Sequence, residues 1–169
     1  MLGITIIRPA AVEETEVVSS VLTEAAEWLE RRGEPLWARE ELTASSIRSE
    51  VAAGIWVLAL SSHDVIGVAR LTPEDPRYWP DAAHGDALYL HRLAVRRSHA
   101  GGKVSRAILD WASDQAELAG RRYLRLDCRA DRPRLRAVYE RSGFVFHSTR
   151  SVGPHFVARY EKIIPGARS

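Results

Sequence analysis

From Val12 to Arg32 the apolar residues Val17, Val18, Val21, Leu22, Ala25, Ala26 and Leu29 return at the spacing of one helical face, and Gly33 stands where such a helix would stop. Ahead of this predicted amphipathic helix, Ile4 to Arg8 is a short β-branched run closed by Pro9, which predicts a strand. Pro35-Leu36-Trp37 breaks the helical pattern, and a second helix is expected from Glu40 to Ala53, ending at Gly54. Ile55 to Leu60 and Val65 to Leu71 are β-rich runs separated by Ser61-Ser62-His63-Asp64, the pattern of a hairpin. Residues 72–85 (TPEDPRYWPDAAHG) contain three prolines and read as a long loop, of a kind that is often functional.

Asp86 to Val95 (DALYLHRLAV) predicts a long strand, followed by the turn Ser98-His99-Ala100-Gly101-Gly102. Val104, Ala107, Ile108, Trp111, Ala112 and Ala116 then mark one face of a third helix that finishes near Gly120. Tyr123 to Cys128 reads as a strand, Pro133 to Ser142 as a short helix with Pro in its first turn and Gly143 after its end, and Phe144 to Ser148 and Phe156 to Lys162 as closing strands. The order β-α-α-β-β-β-α-β-α-β-β defines a mixed α/β domain. With no repeat and no Gly/Ser linker, one domain over 1–169 is expected.

Composition narrows the class. The 169 residues are 46% hydrophobic and 27% charged, enough for a core without metal or disulfide staples and unlike a collagen, a disordered chain or a coiled coil. No apolar run approaches the roughly 20 residues that span a bilayer. The opening MLGITIIRPA reaches Arg8-Pro9 after few apolar residues, so a soluble, cytoplasmic protein with no targeting segment and no membrane partner is expected. The single cysteine, Cys128, excludes an intrachain disulfide and a cysteine-rich zinc site, and it reads as a buried small hydrophobe. No metal is expected.

A net charge of +2 gives no argument for nucleic-acid binding. The run Arg132-Arg134-Arg136 reads as a solvated helix face. Arg92, Arg96, Arg97, Lys103 and Arg106 do fall close together, however, and leave room for a local anion site.

That cluster surrounds the segment with the clearest chemistry: strand 86–95, a glycine-containing loop, then a helix start. Such a start presents unpaired backbone N–H groups and the positive end of the helix dipole, which suits a phosphate or pyrophosphate. The plainer alternative is a turn that only reverses the chain. Gly101-Gly102-Lys103-Val104-Ser105 is not a P-loop, because Val104 follows the lysine where Ser or Thr is required, and G-x-G-x-x-G, H-E-x-x-H and G-x-S-x-G are absent.

From ITIIRPA through LHRLAV, the 100–106 loop and LRLDCRADRPRLRAVYERSGF, the chain resembles the GCN5-related N-acetyltransferase (GNAT) superfamily. The last stretch is the most specific, with Tyr139 on a short helix followed by Gly143-Phe144. The resemblance implies a central, mostly antiparallel sheet with helices on both faces and one parallel strand pair that splays to receive acetyl-CoA. It places the pantetheine arm along Leu93, Ala94 and Val95, and the pyrophosphate on Ala100, Gly101, Gly102, Lys103, Val104, Ser105 and Arg106. A homodimer through the last strands would be ordinary for that fold.

The chain departs from the family's Q/R-x-x-G-x-G/A loop. Ala100 stands for Gln or Arg, Lys103 for the middle glycine and Ser105 for the last small residue. Arg132 replaces a common Asn before Pro133; it either contacts coenzyme A or is a solvated helix-end arginine, and neighbouring Asp131 is the candidate cap.

The resemblance implies direct acetyl transfer to a primary amine of a small molecule or peptide in a ternary complex. That reaction needs a neutral nucleophile and a proton for the departing thiolate. Tyr139, protonated at neutral pH, is the candidate acid, against the alternative of a half-buried packing residue. Backbone N–H groups near Ala94 and Val95 are candidates for holding the carbonyl oxygen. Tyr89 occupies the position where some members carry a carboxylate. His91, two residues on, is the candidate base, against a packed strand histidine. Trp37, Tyr89 and Trp79 are candidate acceptor-binding residues, Trp28 and Tyr78 are available for the same wall, and Trp56 and Trp111 are assigned to packing. The departures in the loop motivate a second reading, a coenzyme A-binding regulatory or structural domain with little transfer activity.

Overall fold

The computed structural model describes residues 5–166. In chain order it contains β1 (Thr5–Pro9), α1 (Thr15–Arg31), α2 (Ala44–Ala52), β2 (Trp56–Ser61), β3 (Asp64–Thr72), β4 (Ala87–Val95), α3 (Lys103–Leu118), β5 (Tyr123–Arg129), α4 (Pro133–Arg141), β6 (Val145–Val152) and β7 (His155–Ile163). The expected elements are all present, but the second helix begins at Ala44 and not at Glu40, because Arg39–Leu42 form a separate 3-10 turn and Thr43 caps the helix; Ile4, where the first strand was expected to begin, lies outside the described residues. The strands follow the order β1-β2-β3-β4-β5-β7-β6 in a seven-stranded sheet. The pairs β1–β2, β2–β3, β5–β7 and β6–β7 are antiparallel and β4–β5 is parallel, the mixed sheet expected from the sequence. No helix among the described residues is long and apolar enough to cross a membrane.

Two compact units divide the chain. One runs up to Arg70 and adds Arg92–Ile108; the other comprises Leu71–His91 and the chain from Leu109 onward. The boundaries fall inside β3, inside β4 and inside α3.

In the first unit, the entry to α1 is fixed by charge. Arg8 donates to both carboxylate oxygens of Glu14 at 2.8 and 2.7 Å, and Glu14 accepts the backbone N–H of Ala11 at 2.8 Å. The hydrogen bonds from Arg8 hold the Glu14 carboxyl down at about 2. The α1 stripe then buries Val18, Val21, Leu22, Ala25 and Ala26, and these pack with Ile47 and Val51 of α2, Trp56 and Leu58 of β2, Val68 of β3 and Ala94 of β4. Thr43 caps α2 by accepting the N–H of Ser46 at 3.3 Å. Inside β3, a Cβ on Gly67 would stand 3.0 Å from Val104 Cγ1, 3.2 Å from Ile108 Cδ1 and 3.3 Å from the Ala94 carbonyl oxygen. The missing side chain is what lets β3 lie this close to the start of α3.

In the second unit, β5 and β7 pair along their length and β6 pairs on β7. Strand β6 runs past the expected end at Ser148, because Ser151 and Val152 pair with Phe156 and His155 across the turn. The loop after β3 is tied to β7. Buried Arg159 donates to Asp81 at 2.6 and 3.1 Å and to the Tyr78 carbonyl at 3.2 Å, which pulls the Asp81 carboxyl down to about 2.

Candidate active site

The first unit holds the candidate cofactor segment. Within β4, Arg92 takes a positive φ of 50°, costly for a residue with a side chain and worth of order 1–3 kcal/mol. Its guanidinium donates to the Glu41 carboxylate and, at 3.2 Å, to the Glu41 carbonyl. Leu93, Ala94 and Val95 follow, with Ala94 buried and its neighbours half-buried. The chain then turns through Gly101 (φ 123°) and Gly102 (φ 91°), a conformation that requires glycine, and a Cβ on either would meet nothing within 4 Å. There is open space above the loop. After a 3-10 turn over Arg97–His99 and these glycines the chain enters α3, whose first turn closes with the Arg106 N–H on the Gly102 carbonyl at 2.9 Å. The N–H groups of the residues ahead of Arg106 have no partner within the helix, the arrangement an anion needs.

The arginines that precede the loop are engaged elsewhere in the same unit. Arg96 donates to Ser20 at 3.1 Å and Glu24 at 3.2 Å, and the Arg97 guanidinium lies 3.8 Å from the Trp28 ring centroid. Of the clustered charges, Arg96 and Arg97 are thus shared with α1. Lys103 and Arg106 stand exposed on the first turns of α3, while Ala100 and Ser105 present no charge. Trp37, the acceptor candidate of this unit, is half-buried against the α1 core.

Tyr139 belongs to the second unit, on α4, 8% exposed, with its ring 6.1 Å from Phe144 and 6.4 Å from Tyr160. Burial raises its hydroxyl well above the ordinary phenol value, with Cys128 and Asp127 adding to the effect, so the group is protonated across the whole physiological range. Pro133 opens α4 and Arg132 precedes it with no side-chain cap. The expected cap, Asp131, instead accepts from Arg129 at 3.0 and 3.1 Å and lies 3.6 Å from Arg132 Nε. Burial pushes the Cys128 thiol up to about 12, which removes it as a nucleophile near neutral pH.

Tyr89 and Trp79 also lie in this unit, 2% and 4% exposed, with ring centroids 6.2 Å apart. Trp79 is flanked by the guanidinium groups of Arg125 at 4.9 Å and Arg159 at 4.6 Å, and it stacks obliquely on His147 at 5.1 Å. Both rings are core, with little face left for a ligand.

His91 is held by two carboxylates that sequence reasoning missed. Its Nε2 lies 3.6 Å from Asp75 Oδ2 and its Nδ1 lies 3.8 Å from Asp127 Oδ1. Donor atoms of the three residues fall within 4.8 Å of one another, a spacing a divalent cation accepts. Burial, and then the charge of Asp75, pushes the Asp127 carboxyl up to about 7. A partial signal was available in Asp127, an acidic residue between Leu126 and Cys128 in the strand run YLRLDCR; the parallel register that pairs Leu90 with Leu126, the residues just before His91 and Asp127, appears only in the fold. Asp75, on the long loop, carried none.

A strand that delivers a glycine loop to a helix start, in a sheet with one parallel pair, suits a phosphate-bearing cofactor, and comparison with known proteins supplies the class. The model of the acetyltransferase (GNAT) family matches residues 22–144. An uncharacterized N-acetyltransferase of Bacillus subtilis (strain 168), YesJ, is 31% identical over 153 residues, 87% of this chain and 85% of that one. The crystal structure of a GNAT-family acetyltransferase from Listeria monocytogenes 4b F2365 superposes with a TM-score of 0.79 at 24% identity over 94% of each chain. The aminoglycoside acetyltransferase AAC(6')-Ib, in complex with coenzyme A and kanamycin, gives a TM-score of 0.72 at 16% identity over 95% of each. The chain belongs to the GNAT family and is an acetyl-CoA-dependent N-acetyltransferase.

Proposed function

We propose that this enzyme transfers the acetyl group of acetyl-CoA directly to a primary amine of a small molecule or peptide, within a ternary complex. The observation that carries this reading is the open glycine turn at Gly101-Gly102 with α3 starting immediately behind it. In this account the backbone of Leu93, Ala94 and Val95 receives the pantetheine arm. The N–H groups from Gly101 through Ser105 cradle the pyrophosphate, with Lys103 and Arg106 supplying positive charge and Arg132 contributing from the start of α4.

Amine attack on the thioester makes a C–N bond and expels a thiolate. Tyr139, kept protonated by burial, gives that thiolate its proton, and backbone N–H groups at Ala94 and Val95 hold the carbonyl oxygen as charge develops. His91 receives the proton of the amine. Trp37 contributes to the acceptor side. A small-molecule acceptor is supported by the likeness to a fold relative solved with kanamycin.

The test is a free-thiol assay with acetyl-CoA across a panel of primary amines and short peptides, paired with thermal shifts in acetyl-CoA and in CoA. The expected result is stabilisation by both ligands and thiol release that depends on the amine. Stabilisation without thiol release on any amine would favour a binding domain, and no stabilisation would remove the cofactor assignment.

A further inference from the structure

The buried carboxylates around His91 are not absorbed by this scheme. Asp75 is 7% exposed; its Oδ1 accepts the Tyr78 N–H at 3.0 Å, but its Oδ2, turned toward His91, has no hydrogen-bond donor. Asp127 Oδ1 is buried and also lacks one. A carboxylate taken out of water without a donor is costly, and a proton shared with a neighbour relieves that cost. Relying on the acetyl-transfer reading above, we propose that Asp75, His91 and Asp127 act as one proton-accepting site, which strips the acceptor's ammonium to the neutral amine and leaves the proton on Asp127.

Asp75 lies nearest Nε2 of the ring and Asp127 nearest Nδ1, so an imidazole passing a proton between them uses both contacts. Side-chain exposure falls from His91 at 15% through Asp127 at 12% to Asp75 at 5%, so the ring is the point of entry. Asp127 also feels the charges of Arg77 from the loop and Arg159 from β7, and it acts in turn on the Tyr139 hydroxyl of α4 and on Cys128 beside it on β5. The two arginines oppose the upward push of burial and Asp75, which leaves the carboxyl at about 7. That value suits a base working near neutral pH, and the titration belongs to the cluster as a whole.

The proton balance is closed. The ammonium gives one proton to the cluster; the amine nitrogen then bonds to the acetyl carbon as the C–S bond breaks. The thiolate takes the Tyr139 proton, the nitrogen's second proton restores Tyr139, and the cluster returns its own proton to water.

Two acceptors test the assignment: n-butylamine, which arrives protonated, and trifluoroethylamine, which is already neutral at assay pH. In Asp127→Asn, kcat/KM for n-butylamine should fall by about 100-fold or more while trifluoroethylamine loses less than about threefold and the KM for acetyl-CoA is unchanged. Asp75→Asn should shift the pH midpoint of the n-butylamine profile downward, because one of the charges that raises it is gone. Equal loss for both amines, or no loss for n-butylamine, would overturn the proposal. An NMR titration of the Asp127 carboxyl needs neither turnover nor a variant. A midpoint near 7 supports the site, and a midpoint in the ordinary carboxylate range refutes it even if the wild-type protein acetylates no amine on the panel.

Discussion

At the scale of single residues, Tyr139 and His91 could be named from the sequence, but their surroundings could not. Tyr139 was marked by the Gly143-Phe144 that follows it, and its edge contact with Phe144 explains why that neighbour matters. The same contact makes Tyr139→Phe a clean probe, because the ring and its packing remain and only the hydroxyl goes. Turnover should drop by about 100-fold or more, with the acetyl-CoA dissociation constant within twofold of the wild-type value. Steady-state kinetics beside calorimetry checks this, and unchanged turnover would remove Tyr139 as the acid. Asp75 stayed hidden because its partner, His91, is distant in sequence and only the folded loop brings them together. Charge misled in the opposite sense: Arg96 and Arg97 look like phosphate ligands in one dimension, yet Glu24 and Trp28 of α1 take them.

Among elements, periodicity gave the helices and strands nearly complete, since each one buries a face that the sequence displays. The α1 stripe and the Ser61–Asp64 hairpin are both found as read. What a one-dimensional pattern lacked was the irregular backbone, above all the positive φ of Arg92 inside an apolar strand. Gly67 is a second such case, unremarkable in VIGVAR but demanded by the close approach of β3 to Val104 and Ile108. Gly67→Ala should cost about 1–3 kcal/mol and, by displacing the first turn of α3, weaken acetyl-CoA binding severalfold. Urea denaturation and calorimetry would measure both, and a variant with native stability and affinity would show that α3 is not held by this contact.

For the whole molecule, the nearly balanced total of 24 basic and 22 acidic residues conceals charge that is organised locally. Ion pairs fix the α1 entry and the long loop, two buried carboxylates beside His91 each keep one oxygen without a donor, and exposed positive charge stands at the α3 start. The family and the fold were legible because they depend on element order and on the segment from β4 to α3. The acceptor was not, because the rings expected to bind it are largely committed to packing. The central claim concerns where acetyl-CoA lies on this framework. Backbone hydrogen exchange with and without acetyl-CoA tests it most directly. Protection concentrated at Ala94, Val95 and Gly101 through Arg106 is the predicted result, and protection absent from that segment, with the ligand bound, would contradict the account.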